Sequence, residues 1–304
     1  MKKIGIIGQG FVGSAVKEKL RLNFEVHAYD KYNEHNCKVY GPDLKNGTHE
    51  TSVDSLVKNC DIIFICVPTP MYEDGECDTR IVESVIQDIS KEADTQDRNI
   101  ITIVKSTVPP GTTKMLNEIS DRVGVTFSPE FLTEANAISD FENQTRIVLG
   151  IDWAEYIEPV SSIFTVSFPN AEIYLVNSNE AEMVKYMTNL FLATKVSFFN
   201  DMYQICQSAG INYDDVIDIT LADPRIGKSH YQVPGPDGDL GYGGHCFPKD
   251  MNAMINLANK MSVSVPTLMG AHLTNEMVRK NKDWEAMKGR AVSRRELSIE
   301  EITQ

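Results

Sequence analysis

The sequence predicts an α/β protein: a parallel sheet with helical crossovers comes first, and a helical region built on one long helix follows. Three observations carry this. Short, β-rich apolar runs alternate with amphipathic stretches as far as Gly150. A glycine-spaced turn, Gly8-Gln9-Gly10-Phe11-Val12-Gly13, comes directly after the first of these runs. From Ser178 to Ala209 the chain has neither Pro nor Gly, so a single continuous helix is expected there.

In order, Ile4 to Ile7 reads as a first strand, Phe11 to Leu20 as a helix, and Glu25 to Tyr29 as a second strand ending at Asp30. Further strands are expected at Ile62 to Val67, Ile100 to Val104, Val123 to Phe127 and Arg146 to Gly150. Their unbroken apolar character suits strands covered on both faces. A boundary near Asn177 divides the chain into a first domain over 1–177 and a second, helical domain over 178–304. The second domain is helical apart from the Pro/Gly-rich loop Asp223 to Gly244, and its charged tail after Trp284 is expected to fray.

Composition narrows the functional classes. The chain has 304 residues, 42% hydrophobic and 24% charged, which suits an ordinary soluble two-domain protein. With 29 Lys plus Arg against 43 Asp plus Glu, the net charge of −14 argues against general nucleic-acid or anionic-membrane binding. No apolar run approaches the roughly 20 residues that cross a bilayer. The N-terminus reads as a strand rather than a signal peptide, so a cytoplasmic location is expected. The cysteines Cys37, Cys60, Cys66, Cys77, Cys206 and Cys246 show neither a CxxC nor a disulfide-scaffold spacing and read as reduced thiols. No metal site is indicated.

The glycine turn has a mechanical meaning. Gly8 permits a tight turn, Gly10 lets the backbone approach a pyrophosphate, and Gly13 lets helix pack closely on strand, as in a Rossmann-type domain. The new helix points its N-terminal amides at the phosphates, with Phe11 and Val12 in its first turn. Asp30, at the end of the second strand, accepts hydrogen bonds from ribose hydroxyls and repels a 2′-phosphate, so NAD is expected over NADP. Lys31 beside it works against that preference. Three loops after later strands suit a preformed binding wall: Val67-Pro68-Thr69-Pro70, Lys105 to Thr112 with Ser106 and Thr107, and Ser128 to Glu134.

Far downstream, Gly241-Tyr242-Gly243-Gly244-His245-Cys246-Phe247-Pro248-Lys249-Asp250 holds a cysteine on a glycine-rich turn beside a lysine and a carboxylate. A thiolate there can attack a carbonyl carbon. Next to a hydride acceptor this allows oxidation past the aldehyde, because an aldehyde must first take up a nucleophile before it can lose a second hydride. The alternative is a small buried hydrophobe.

Together these blocks resemble the nucleotide-sugar dehydrogenases, the UDP-glucose and GDP-mannose 6-dehydrogenases, with the UDP-glucose type the better match. The resemblance rests on GQGFVG at Gly8 to Gly13, KSTVPPGT at Lys105 to Thr112, SPEFLTEANAI at Ser128 to Ile138 and AEMVKYMTN at Ala181 to Asn189. It continues through DPRIG at Asp223 to Gly227 and GYGGHCFPKD at Gly241 to Asp250. It implies NAD-dependent oxidation of the C6 hydroxyl of a nucleotide sugar by two hydride transfers, with Cys246 as the thiohemiacetal and thioester nucleophile. By the same resemblance Lys185 and Asp250, with a water, handle the proton of the C6 hydroxyl, and Asn189 bonds the same oxygen. Glu130 helps water hydrolyse the thioester and Thr107 positions that water. Glu134 contacts the cofactor, as do Val67, Pro68, Thr69 and Ser106. Phe131, Leu132, Tyr242 and Gly243 line the substrate side, while Arg225 and Lys249 meet its phosphates or a neighbouring subunit. The resemblance also implies a homodimer through the long helix.

Two alternatives stay open. A hydroxy-acid dehydrogenase related to 6-phosphogluconate dehydrogenase would use a lysine but need no cysteine. A non-catalytic, dimerising subunit would keep only the cofactor site. Members of the family usually continue into another Rossmann-like domain, whereas this chain stops at Gln304, so a fragment completed by another polypeptide or a shortened enzyme is expected.

Overall fold

A computed structural model describes residues 2–31 and 47–302, so the position of Cys37 lies outside the described residues. By contact the chain divides into two compact units, Met1–Thr69 with Thr79–Lys185, and Pro70–Asp78 with Tyr186–Gln304.

The first unit is built on an eight-stranded sheet in the order β3-β2-β1-β4-β5-β6-β7-β8. The strands are β1 (Lys3–Ile7), β2 (Glu25–Tyr29), β3 (Gly47–His49), β4 (Ile62–Ile65), β5 (Ile100–Val104), β6 (Val123–Phe127), β7 (Arg146–Gly150) and β8 (Glu172–Val176). From β3 to β6 all neighbours are parallel, and the order reverses between β1 and β4, the crevice where open α/β sheets bind ligands. The helices between them are α1 (Phe11–Leu20), α2 (Val53–Asn59), α3 (Arg80–Thr95), α4 (Thr112–Asn117), α5 (Ala137–Glu142) and α6 (Ala154–Ser167). Alternate strand residues feed opposite cores. Ile4, Ile6, Ile62 and Phe64 pack with Phe141 and Phe164 on one face, while Ile7, Ile63 and Ile65 pack with Leu56, Ile86 and Val125 on the other.

Three details depart from the sequence expectation. The sheet is not wholly parallel, because β7 meets β6 antiparallel through Phe127 and Gly150. Strand β4 ends at Ile65 rather than Val67, since Cys66 and Val67 turn into the loop above the crevice. Strand β8 was not anticipated: it is an edge strand with Tyr174 and Leu175 exposed, so burial leaves little mark on its sequence.

The long helix α7 (Ser178–Ala209) forms over the expected span, beginning in the first unit and passing into the second at Tyr186. In the second unit it is joined by α8 (Tyr213–Thr220), α9 (Phe247–Lys260), α10 (Pro266–Val278) and α11 (Ile299–Ile302). Tyr186, Leu190 and Ala193 enter a core with Tyr242, Met251 and Ala271. The tail does not fray after Trp284. Ala291 is fully buried, Met71 N–H donates to Ala291 O at 2.8 Å, and Ser293 N–H donates to Met71 O at 2.8 Å. The Arg295 guanidinium lies 4.3 Å above the Tyr72 ring and pairs with Asp74 and Glu76 at 2.7 and 2.5 Å. The charges that suggested fraying have acidic partners on the Pro70–Asp78 segment, which sequence distance conceals.

Candidate active site

In the first unit the chain leaves β1 into Gly8 at φ +91°, and a Cβ there would lie 2.5 Å from Cys66 O. A Cβ on Gly13 would lie 1.9 Å from Gly8 O, so these two glycines are demanded by the protein's own packing. Gly10 differs, because a Cβ there would meet nothing within 4 Å. Its bare Cα faces open space at the start of α1, which has no side-chain cap. That space beside uncapped helix amides fits a pyrophosphate.

Asp30 Oδ2 accepts a hydrogen bond from Gln9 N–H at 2.6 Å, so the carboxylate sits against the glycine loop. The loops after β4 and β5 are tied together: Thr69 Oγ1 donates to Thr107 O at 2.7 Å and Ser106 Oγ to Val67 O at 2.7 Å. Pro68, Lys31 and Glu134 are exposed, while Phe11, Val12, Val67 and Thr107 are half-buried. With Asp30 at the loop, the protein is expected to bind NAD more tightly than NADP, and Asp30→Ala should narrow that preference. Calorimetry with both cofactors checks this, and equal affinities in the parent would sink it.

Farther along the same unit, Lys185 and Glu130 form a buried ion pair at 2.8 Å, with side chains 3% and 6% exposed. Lys185 Nζ also donates to Glu130 O at 2.6 Å, and Glu130 Oε2 accepts from Leu132 N–H at 2.6 Å. Burial works against the Glu130 charge, but the Lys185 ammonium and these donors outweigh it and hold the carboxyl below its ordinary range. Two cations approach the Phe131 ring, Arg146 at 4.1 Å and Lys185 at 5.7 Å from its centre. Half-buried Leu132 follows it.

In the second unit Cys246 is the N-cap residue of α9, at the helix end that favours negative charge. The thiolate is the form that attacks carbon. The first turn of α9 carries Lys249 and Asp250, joined at 2.6 Å and both buried. The other Asp250 oxygen accepts from Asn189 Nδ2 at 2.6 Å. Burial opposes the Lys249 charge, yet the adjoining Asp250 carboxylate overrides it and holds the ammonium above its usual range. Lys249 is therefore committed to a carboxylate inside the protein, not offered to solvent as a phosphate ligand would be. Arg225 is exposed and paired with Asp223 at 2.5 Å.

Three other thiols are poorly suited to nucleophilic work. Burial pushes Cys60 and Cys66 up to about 12 and Cys77 up to about 11.

Several positioning residues escaped the sequence reading. The glycine turn before Cys246 is clasped from the end of α10: Asn275 Oδ1 accepts from Tyr242 N–H at 2.7 Å and Asn275 Nδ2 donates back to Tyr242 O at 3.1 Å. Asp283 accepts from Gly244 N–H at 3.1 Å. A Cβ on Gly243 would lie 2.2 Å from Arg279 Nη2, so any side chain there would have to push the Arg279 guanidinium out of this clasp. Glu182 is fully buried and accepts from Gly111 N–H at 2.7 Å and Thr113 N–H at 2.8 Å, fixing the loop after β5 to α7. Lys105 is buried, and its Nζ donates to Pro129 O at 2.9 Å and Ser128 Oγ at 3.3 Å. No sequence signal marked them, since Arg279 and Asp283 lie beyond the end of α10 and share no helical face with Asn275.

The NAD binding domain of the UDP-glucose/GDP-mannose dehydrogenase family matches residues 2–167, and its central domain matches residues 179–277. The chain belongs to this family. It is 33% identical over 276 residues to a putative UDP-glucose 6-dehydrogenase of Bacillus subtilis, covering 83% of this chain and 62% of that one. With the UDP-glucose 6-dehydrogenase of Campylobacter jejuni it shares 31% identity over 298 residues, 91% of this chain and 73% of the relative. The fold is similar to that of a UDP-glucose dehydrogenase from Pyrobaculum islandicum, with a TM-score of 0.82 at 28% identity over 91% of this chain and 68% of that one. The chain thus spans less than two thirds of the Bacillus relative. Among the described residues no helix is long and apolar enough to cross a membrane.

Proposed function

We propose that this protein takes part in the NAD-dependent oxidation of the C6 hydroxyl of a nucleotide sugar to the carboxylate, with UDP-glucose as the substrate and Cys246 as the covalent nucleophile. The observation that carries the reading is Cys246 at the N-terminus of α9, one turn ahead of an Asp250 carboxylate held by Asn189 and Lys249. A hydroxy-acid dehydrogenase has no use for a thiol placed this way. Relatives named as UDP-glucose 6-dehydrogenases favour UDP-glucose.

When bound, NAD supplies the hydride acceptor. The open backbone at Gly10, in the turn shaped by Gly8 and Gly13, would hold its pyrophosphate, and Asp30 would meet the ribose. Asp250, through a water, would take the hydroxyl proton as the C6 hydride passes to NAD and C6 becomes an aldehyde, while the Lys185 ammonium and Asn189 would steady the oxygen. The Cys246 thiolate would then add to the C6 carbonyl carbon, opening its π bond to oxygen, and loss of the C6 hydride to a second equivalent of NAD would leave a thioester. Glu130 draws a proton from the water that cleaves the carbon–sulfur bond, with Thr107 aligning that water, and the carboxylate departs. Lys249 acts here by holding Asp250. NADH formation on mixing the protein with NAD and UDP-glucose, with GDP-mannose as control, tests the reading. No NADH from any nucleotide sugar would defeat it.

We also infer a homodimer through α7. Met187, Phe191, Phe198 and Ile205 are 65%, 67%, 54% and 57% exposed, although they recur at helical spacing along one side of the helix. An apolar stripe of this length is normally buried by a partner. Light scattering should give a monodisperse dimer that Phe191→Asp weakens. A stable parent monomer at micromolar concentration would remove the interface.

A further inference from the structure

Lys105, just beyond β5, is 2% exposed, and its ammonium is held only by neutral groups, the Pro129 carbonyl and the Ser128 hydroxyl. Among the described residues no carboxylate lies within ion-pair distance of it. The rings of Phe141 and Phe164 lie 5.6 and 6.0 Å away. Burying an ammonium without a counter-ion at contact is costly, and a methionine would fill the same space among aromatic rings at less expense. The cost implies a task for the charge.

The groups facing Lys105 define that task. They are Cys66 beyond β4, Glu130 beyond β6 and Lys185 on α7. Ser128 and Pro129, which Lys105 grips, immediately precede Glu130.

We propose that Lys105 is a positioning residue for thioester hydrolysis, acting through Glu130: its ammonium pins the Ser128–Pro129 turn from which that carboxylate projects and sets a second positive charge within its electrostatic reach. The proposal rests on the functional reading above. Lys185 alone would hold Glu130 from one side. The second cation keeps the carboxylate ionised and its backbone fixed, so that it stands ready for the hydrolytic water. Burial brings Lys105 itself down to about 8, so most of its charge is present at neutral pH and fades in mild alkali.

The test compares the parent with Lys105→Met, which keeps the volume and removes the charge, and Lys105→Arg, which keeps the charge. In Lys105→Met the pre-steady-state NADH burst with NAD and UDP-glucose should stay within about threefold of the parent, while steady-state turnover falls roughly tenfold or more. Mass spectrometry of acid-quenched protein should show the Cys246 adduct accumulating. The acid limb of the turnover profile should move to higher pH, and Lys105→Arg should restore much of it. Unchanged turnover and pH profile in Lys105→Met, with an active parent, overturn the Lys105 proposal alone. Equal loss of burst and turnover overturns it too, since that indicates general damage. An inactive parent defeats the functional reading. Carbon-13 titration of the Glu130 carboxyl, assigned with Glu130→Gln, stands apart from activity: an upward move in Lys105→Met supports the coupling, and an unchanged curve ends it.

Discussion

Cys246→Ser is expected to lower turnover by several powers of ten while leaving NAD affinity close to that of the parent. A serine hydroxyl at the start of α9 keeps the shape of the turn, and Asn275 and Asp283 continue to hold the backbone before it. What goes is a group that ionises readily and adds to an aldehyde. The first hydride transfer needs no sulfur, so some NADH should still form while the acid product does not. Single-turnover NADH absorbance, read with product chromatography, separates the two oxidations. Release of the acid by the serine variant at an unchanged rate would show that no thioester is formed.

Lys185→Ala should produce two effects of different origin. In the chemistry, the first hydride step should slow far more than NAD binding weakens, because the amine lies with Glu130 and away from the glycine loop in sequence and role. Normal chemistry at saturation with a selective loss of NAD affinity by calorimetry would take Lys185 out of the catalytic group. In stability, the change leaves Glu130 buried without its cation, a loss of about 3–5 kcal/mol for a broken buried pair.

The pH dependence of that loss has a definite sign. With Lys185 present, the Glu130 carboxyl sits below its ordinary 4.5, so the pair's stabilisation is full above that value and disappears as pH falls through the lowered one. Without Lys185, burial raises the carboxyl instead, and protonation relieves the unpaired charge. The stability gap between parent and variant, measured by urea unfolding, should therefore be widest near neutrality and shrink in acid. A gap that widens in acid would contradict the ion pair.

Much of this protein is legible in one dimension. The strands of the first unit that are covered on both faces are continuous apolar runs, and the turn at Gly8 announces itself by spacing because Gly8 and Gly13 are imposed by contacts within a few residues or one strand away. The helix from Ser178 to Ala209 is visible for the opposite reason, the absence of any breaker. The edge strand β8 is hidden because half-exposed residues carry no periodic signal.

The candidate site divides the same way. The sequence by itself determined which residue types are available: a cysteine on a glycine turn, the following lysine and carboxylate, an acidic end to β2, and a lysine on a breaker-free helix. Only the tertiary structure decided their partners. Lys185 pairs with Glu130, Lys249 is committed to Asp250, and Asn189 reaches the same carboxylate. Lys105 is buried against a proline carbonyl, and Arg279 with its neighbours clasps the turn before Cys246. The physical reason is that local geometry depends on neighbours along the chain, which spacing records. The state of a charged side chain depends on burial and on partners many residues away, and an isolated lysine in a string of letters reads the same whether it faces water or a buried carboxylate.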